Sequence, residues 1–259
     1  VFGDWSSDVC SSDLIATADL PNVACAIESA HQAWESGWRD LAPGKRTEIL
    51  FAVARAIREH LDEIAQLETL HVGKPISDAR DEAALGARVF DYYAGAVTRF
   101  CGQTIPVARG GFDFTLRQPM EVVAAIVPWN FPFAIACWKV APALAAGNCV
   151  ILKPASVSPL TALKLGALAH EAGLPPGVLQ VIPGPGGSIG DALVTHPLVR
   201  KVSFTGSTEI GRRIMDLASR DLKRVSLELG GKSPNIVFAD ADWEREIGEH
   251  TSELQSPNT

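Results

Sequence analysis

No C-x-x-C pair and no histidine-rich partner spacing occur in this chain. Its five cysteines, Cys10, Cys25, Cys101, Cys137 and Cys149, are scattered. Neither a metal site nor a disulfide framework is expected, and a reducing cytoplasm is the default compartment. Positive charge is also short. Lys and Arg number 23 against 30 Asp and Glu, for a net charge of -7, and no basic stripe stands out, which excludes a nucleic-acid partner. No basic region followed by an apolar one occurs, so no signal peptide is expected. An uninterrupted apolar run is missing too. The longest candidate, Val122 to Pro154, contains Pro128, Asn130, Pro132, Lys139 and Pro142. Charged and helix-breaking residues at that density are too costly in lipid, so the stretch reads as soluble core and no membrane partner is expected.

What that stretch does contain organises the chain. Val122 to Val127 is a β-branched apolar run that suits a buried strand. Pro128-Trp129-Asn130 breaks it. Phe133 to Ala146 carries helix formers, with Gly147 where a C-terminal cap belongs. Cys149 to Leu152 is a second buried strand, ended by Lys153-Pro154. A strand–helix–strand crossover implies a parallel sheet with ligands at the carboxyl ends of its strands. Asn130 and Lys153 both fall just past such an end.

Ahead of this unit the periodicity predicts three helices: Asn22 to Trp38, Pro43 to about His71, and a third opened by Ser77 as N-cap. They should form a layer laid over the sheet. Thr104 to Val107 and Phe112 to Arg117, around Arg109-Gly110-Gly111, read as a hairpin arm. Behind the unit, helices over Ser158 to Ala172, from Gly184 to about Thr195 and over Thr208 to Ser219 alternate with strands at Val178 to Ile182, Arg200 to Phe204, Lys223 to Leu229 and Pro234 to Phe238. The expected class is α/β, a Rossmann-like parallel sheet with helices on both faces. The ends fit poorly: VFGDWSSDVCSSDL and IGEHTSELQSPNT have no structural period and read more like translated adapter DNA, or disordered termini, than like folded protein.

The strings VPWNFPF (127–133), WKVAPALAAGN (138–148), LKP (152–154), EAGLPPGV (171–178), SFTGSTEIG (203–211) and LELGGKSPNIV (227–237) together resemble the NAD(P)-dependent aldehyde dehydrogenases. The resemblance runs in order over Ile15 to Asp242. It implies a dinucleotide-binding domain from 15–100 and 120–231, an oligomerisation hairpin at 101–119, and the start of a truncated catalytic domain at 232–246, between non-native ends at 1–14 and 247–259. The implied chemistry is oxidation of an aldehyde to an acid through a cysteine thiohemiacetal and thioester, with NAD or NADP as cofactor.

On residue type alone Asn130 is as well a turn cap, and Glu228 a strand-end carboxylate paired with Lys232. In the family context Asn130 resembles the oxyanion-hole asparagine. Glu228 resembles the general base, with a pKa raised by apolar walls at the end of a buried strand. Lys139 is either electrostatic support or a structural salt bridge. Lys153 resembles the ribose-binding lysine. Ser156 stands where related chains often carry Glu, which removes a charge that would repel a 2′-phosphate. Gly206 and Ser207 resemble the pyrophosphate loop at a helix N-terminus, and Gly211 permits close packing there. Gly184, Gly186 and Gly190 form a loose glycine loop near the adenine, and Trp129 lines the nicotinamide side. Ile126, Pro128, Leu229 and Gly230 complete the implied cofactor contacts.

None of the five cysteines fits the family nucleophile, so this polypeptide is expected to be inactive by itself. Two other readings remain: a non-catalytic nucleotide-binding fragment, and a related acyl-phosphate or acyl-CoA reductase. YYAG (92–95) and QTIPV (103–107) give a likeness to the betaine-aldehyde subgroup. The hairpin implies a homodimer or tetramer for the intact protein.

Overall fold

A computed structural model describes residues 15–234 together with Ile236, Phe238 and Asp240. Cys10, the two unusual ends and most of 232–246 therefore lie outside the described residues.

The chain opens with α1 (Leu20–Ala33), whose first turn is closed by a reciprocal capping box between Asp19 and Asn22. It runs on as one π-helical turn (Trp34–Trp38). The stretch expected as one helix from Pro43 to His71 is two, α2 (Pro43–Glu59) and α3 (Leu61–Val72). His60 leaves helical geometry at φ -107°, ψ 19°. A single helix of that span would be roughly 43 Å long; broken, it lets α2 and α3 each pack on both α4 and α6. Helix α4 (Ile76–Ala94) starts behind Pro75, not behind Ser77, whose hydroxyl pairs with Asp78 instead.

The hairpin is present but short: β1 (Thr104–Ile105) and β2 (Asp113–Phe114) pair antiparallel. The longer strands expected there do not form. All residues from 101 to 117 are exposed, so no packed face extends the pairing. At its base Gly102 lies so close to the Thr115 carbonyl that a Cβ would sit 1.8 Å from it.

Five parallel strands follow: β3 (Val122–Ile126), β4 (Cys149–Lys153), β5 (Leu179–Val181), β6 (Val199–Gly206) and β7 (Arg224–Leu229). They are joined by α5 (Pro132–Ala145), α6 (Leu160–Glu171), α7 (Gly186–Thr195) and α8 (Thr208–Ser219). The sheet order is β5-β4-β3-β6-β7. Chain direction across the sheet therefore reverses between β3 and β6, and a crevice opens at such a switch point outside the carboxyl ends. Of Pro234 to Phe238, the described residues Pro234, Ile236 and Phe238 carry no strand, and the rest of that expected strand is not described.

Helices α5 and α6 cover one face, and α2, α3 and α4 form a further layer over those two, not over the sheet itself. Helix α1 packs on β4 and α7, and α7 on α8. Helix α5 is therefore enclosed on most sides, which is why its sequence is apolar nearly all round. Among the described residues no helix is long and apolar enough to cross a membrane.

Candidate functional site

Parallel pairing puts the expected site on one rim. Ile126, the last residue of β3, is in register with Lys153 on β4 and with Phe204 on β6. Thr205 and Gly206 are in register with Glu228 and Leu229 on β7. Pro128, Trp129 and Asn130 follow β3 on this carboxyl edge, the last two as a bend, with Trp129 exposed. Asn130, Gly206–Ser207 and Glu228 thus leave the sheet at the same edge, and the first two flank the switch point.

Ser207 caps α8: its hydroxyl oxygen accepts from the Ile210 amide at 3.4 Å. Gly206 sits beside the Phe204 ring, where a Cβ would be 2.5 Å from Cζ. A β-strand ending in glycine before a capped helix presents free amides and the positive end of the helix dipole, which suits an anion. Gly211 and Leu229 form one packing contact that holds α8 against β7, and Gly230 follows the strand end.

Lys153 is 3% exposed, and its ammonium donates to the Pro154 and Gly184 carbonyls at 2.9 Å each. Burial pulls its pKa down to about 8. The Ser156 hydroxyl donates to the same Gly184 carbonyl at 2.8 Å. These bonds tie the start of α7 to the end of β4. Gly186 is the first residue of α7 and Gly190 lies one turn further in; a Cβ on either would meet nothing within 4 Å. This leaves the start of α7 open to close approach.

Among the described residues Lys139, on α5, makes no salt bridge. Its ammonium donates to the Ser203 hydroxyl on β6 at 3.0 Å. Burial lowers its pKa to about 8, against a raising effect of Glu228 and a further lowering by Lys201. Glu228 departs from expectation. It was expected at the end of a buried strand, yet among the described residues β7 is the sheet edge and Glu228 is exposed. Among the described residues no ion pair joins it to Lys232.

Sequence reasoning missed a buried charge cluster behind the Asn130 bend. Glu68, Lys74 and Glu82 are 0%, 4% and 7% exposed. Glu68 accepts from the Phe133 amide at 2.8 Å and from Thr161 at 3.2 Å, and Lys74 bonds Glu82. Burial pushes both carboxyls up, Glu82 to about 7. The signal was available: Glu68 continues the Ile64–Ala65 face of α3, and Glu82 sits among Ala79, Ala83 and Gly86 on the buried face of α4.

Beside α5 an open groove of about 440 Å³ is lined by Leu85, Arg88, Val89, Tyr92, Tyr93 and Trp138. Of the described cysteines, Cys149 begins β4 at the opposite sheet edge and Cys137 is buried within α5. Burial pushes the Cys149 thiol up to about 12 and the Cys137 thiol well above its ordinary value. Cys25 and Cys101 are exposed.

Comparison with known proteins bears on the family and the fold. The chain is 49% identical to the phenylacetaldehyde dehydrogenase of Pseudomonas fluorescens over 93% of its own length and 48% of that protein. A solved indole-3-acetaldehyde dehydrogenase in complex with NAD+ superposes with a TM-score of 0.85 at 46% identity, covering 88% of this chain and 46% of that one. A solved Escherichia coli NADP dependent enzyme gives 0.87 at 43% identity, covering 90% and 48%. The chain spans about half the length of the curated relatives it matches. The model of the aldehyde dehydrogenase family matches residues 12–253, and the chain belongs to that family.

Proposed function

We propose that this chain is the dinucleotide-binding part of an NAD(P)-dependent aldehyde dehydrogenase, which oxidises an aldehyde to a carboxylic acid through a cysteine thioester. The observation that carries this reading is the switch point between β3 and β6, with Asn130 beyond one strand and the capped Gly206–Ser207 turn beyond the other. The residues fit a dinucleotide. The start of α8 suits its pyrophosphate, the open face at Gly186 and Gly190 suits close approach near the adenosine, and Lys153 with Ser156 stands between the two. Bound there, the nicotinamide supplies the hydride acceptor.

The chain's own residues then divide the work. The Asn130 amide donates to the oxygen that gains charge when a thiol attacks the carbonyl; one such donor contributes about 3 kcal/mol. Glu228 takes a proton from the water that cleaves the thioester. Its exposed place on the rim leaves it open to water, and Lys139 below holds positive charge near it. Ser156 places no carboxylate beside Lys153, so NADP is accepted as well as NAD.

None of the five cysteines resembles the family nucleophile, and no aldehyde oxidation by the chain alone is expected. Titration with NAD and NADP, followed by tryptophan fluorescence, tests the proposal. Quenching that is lost in Trp129→Phe is expected. Absence of binding to either nucleotide overturns the assignment, and cysteine-dependent NADH production overturns the claim of inactivity.

A further inference from the structure

The bend that carries Asn130 runs into a helix with no cap of its own. Phe131 occupies the N-cap of α5, and its side chain cannot accept an amide proton. Pro132 removes one donor from the first turn. The next, on Phe133, is taken by Glu68, a residue 65 positions earlier. A carboxylate here also faces the positive end of the α5 dipole. Lys74 stands over the Phe131 ring, 4.4 Å from its centroid, and 3.7 Å from Glu68 Oε2. Thr161, from the first turn of α6, donates to the same Glu68 oxygen as Phe133.

Residues 131 and 133, immediately past Asn130, are therefore each held by a buried charge that comes from another part of the fold. Two carboxylates around one ammonium in a dry site are a poor device for stability, because desolvating them consumes much of their attraction. They are a good device for direction. The Phe133 amide must point at one oxygen, which also accepts from the Thr161 hydroxyl, while Lys74 stands 3.7 Å from the other oxygen of the same carboxylate. A capping serine or aspartate at position 131 would close the helix but would leave the bend free to move with the surface.

We propose that Glu68, with Lys74, is a positioning residue that aims the Asn130 side-chain amide by pinning the first and third residues after it. Neither touches reacting atoms; both act through the backbone of 131–133. The functional value of the aim rests on the proposed role of Asn130, where a displacement of about 1 Å can cost on the order of a hundredfold in rate. The pinning itself does not depend on that role.

The test reads the amide directly. In ¹H–¹⁵N spectra of the 259-residue chain, without nucleotide or aldehyde, the side-chain NH₂ pair of Asn130 is compared with that of Asn148. The Asn148 amide donates to Ala143 at the far end of α5 and serves as control. Glu68→Ala is expected to displace or broaden the Asn130 pair and leave the Asn148 pair in place. Glu68→Gln, which keeps an acceptor oxygen, restores it. Phe131→Leu, which removes the ring from Lys74 at a half-buried position, keeps the question open to experiment if Glu68→Ala does not fold. It is expected to move the Asn130 pair as well. An unchanged Asn130 pair in these variants, with only a lower melting temperature, overturns the proposal. Because no ligand is present, that failure is distinct from failure of nucleotide binding.

Discussion

Lys153 and Ser156 donate to one acceptor, the carbonyl oxygen of Gly184, at 2.9 and 2.8 Å. The end of β4 is thereby fastened to the loop that starts α7, and both donors stand where the proposed nucleotide would run.

Ser156→Glu tests what this pair selects. A carboxylate beside the Lys153 ammonium would repel a 2′-phosphate. The NADP-to-NAD affinity ratio is expected to fall by about tenfold, or 1.4 kcal/mol, in fluorescence titrations. An unchanged ratio removes Ser156 from the specificity argument.

Lys153 also predicts a pH dependence. Its pKa is drawn down to about 8, so the side chain is charged below that pH and neutral above it. Nucleotide affinity should weaken between pH 7 and pH 9. Lys153→Met should bind about tenfold more weakly at pH 7, as expected for loss of a charged hydrogen bond, and show no such slope.

Glu82 should make the fold less stable as pH rises. A carboxyl raised to about 7 from 4.5 holds its proton more tightly folded than unfolded. Its ionisation penalty is absent below pH 4.5, grows between 4.5 and 7 and is complete above 7, where it reaches about 3 kcal/mol. Urea midpoints of the parent chain should therefore fall more between pH 5 and pH 8 than those of Glu82→Gln. Histidine contributions are common to both chains and cancel in the difference.

Gly86 lies on α4 against the first turns of α5. A Cβ there would sit 2.7 Å from the Phe133 ring and 2.9 Å from the Cys137 sulfur, both fully buried. Gly86→Ala gains about 1 kcal/mol of helix propensity and pays about 1–3 kcal/mol for overpacking. A net loss is expected, visible as a melting temperature lower by a few degrees.

Thiol labelling of the native chain should modify Cys25 and Cys101 quickly and spare Cys137 and Cys149, as mass spectrometry of labelled peptides would show. Rapid modification of Cys149 would contradict its place inside β4.

How much could be read beforehand varies with the range of the interactions. Helix α8 runs from Thr208 to Ser219, the range read from the sequence, because the turn before it and the helix itself are local signals. The β3–α5–β4 unit was equally legible, down to Gly147, which adopts φ 86° behind α5. The break at His60 was not, since the apolar period runs through it and only packing on α4 and α6 demands a turn. The hairpin strands were overread because β-propensity without a face to pack on does not extend pairing. Glu228 was misjudged because a strand's sequence does not say whether it lies inside a sheet or at its edge.

The amino-acid sequence by itself determined the alternation of strands and helices, the glycine and proline stops, and the residues that leave the strands at their carboxyl ends. These follow from backbone preference and apolar period, which act over a few residues. Only the tertiary structure decided the strand order, hence the switch point between β3 and β6, and the bond from Phe133 to Glu68 across 65 residues. Such pairings depend on which surfaces are left to be buried once the whole chain has packed, and no local stretch carries that information.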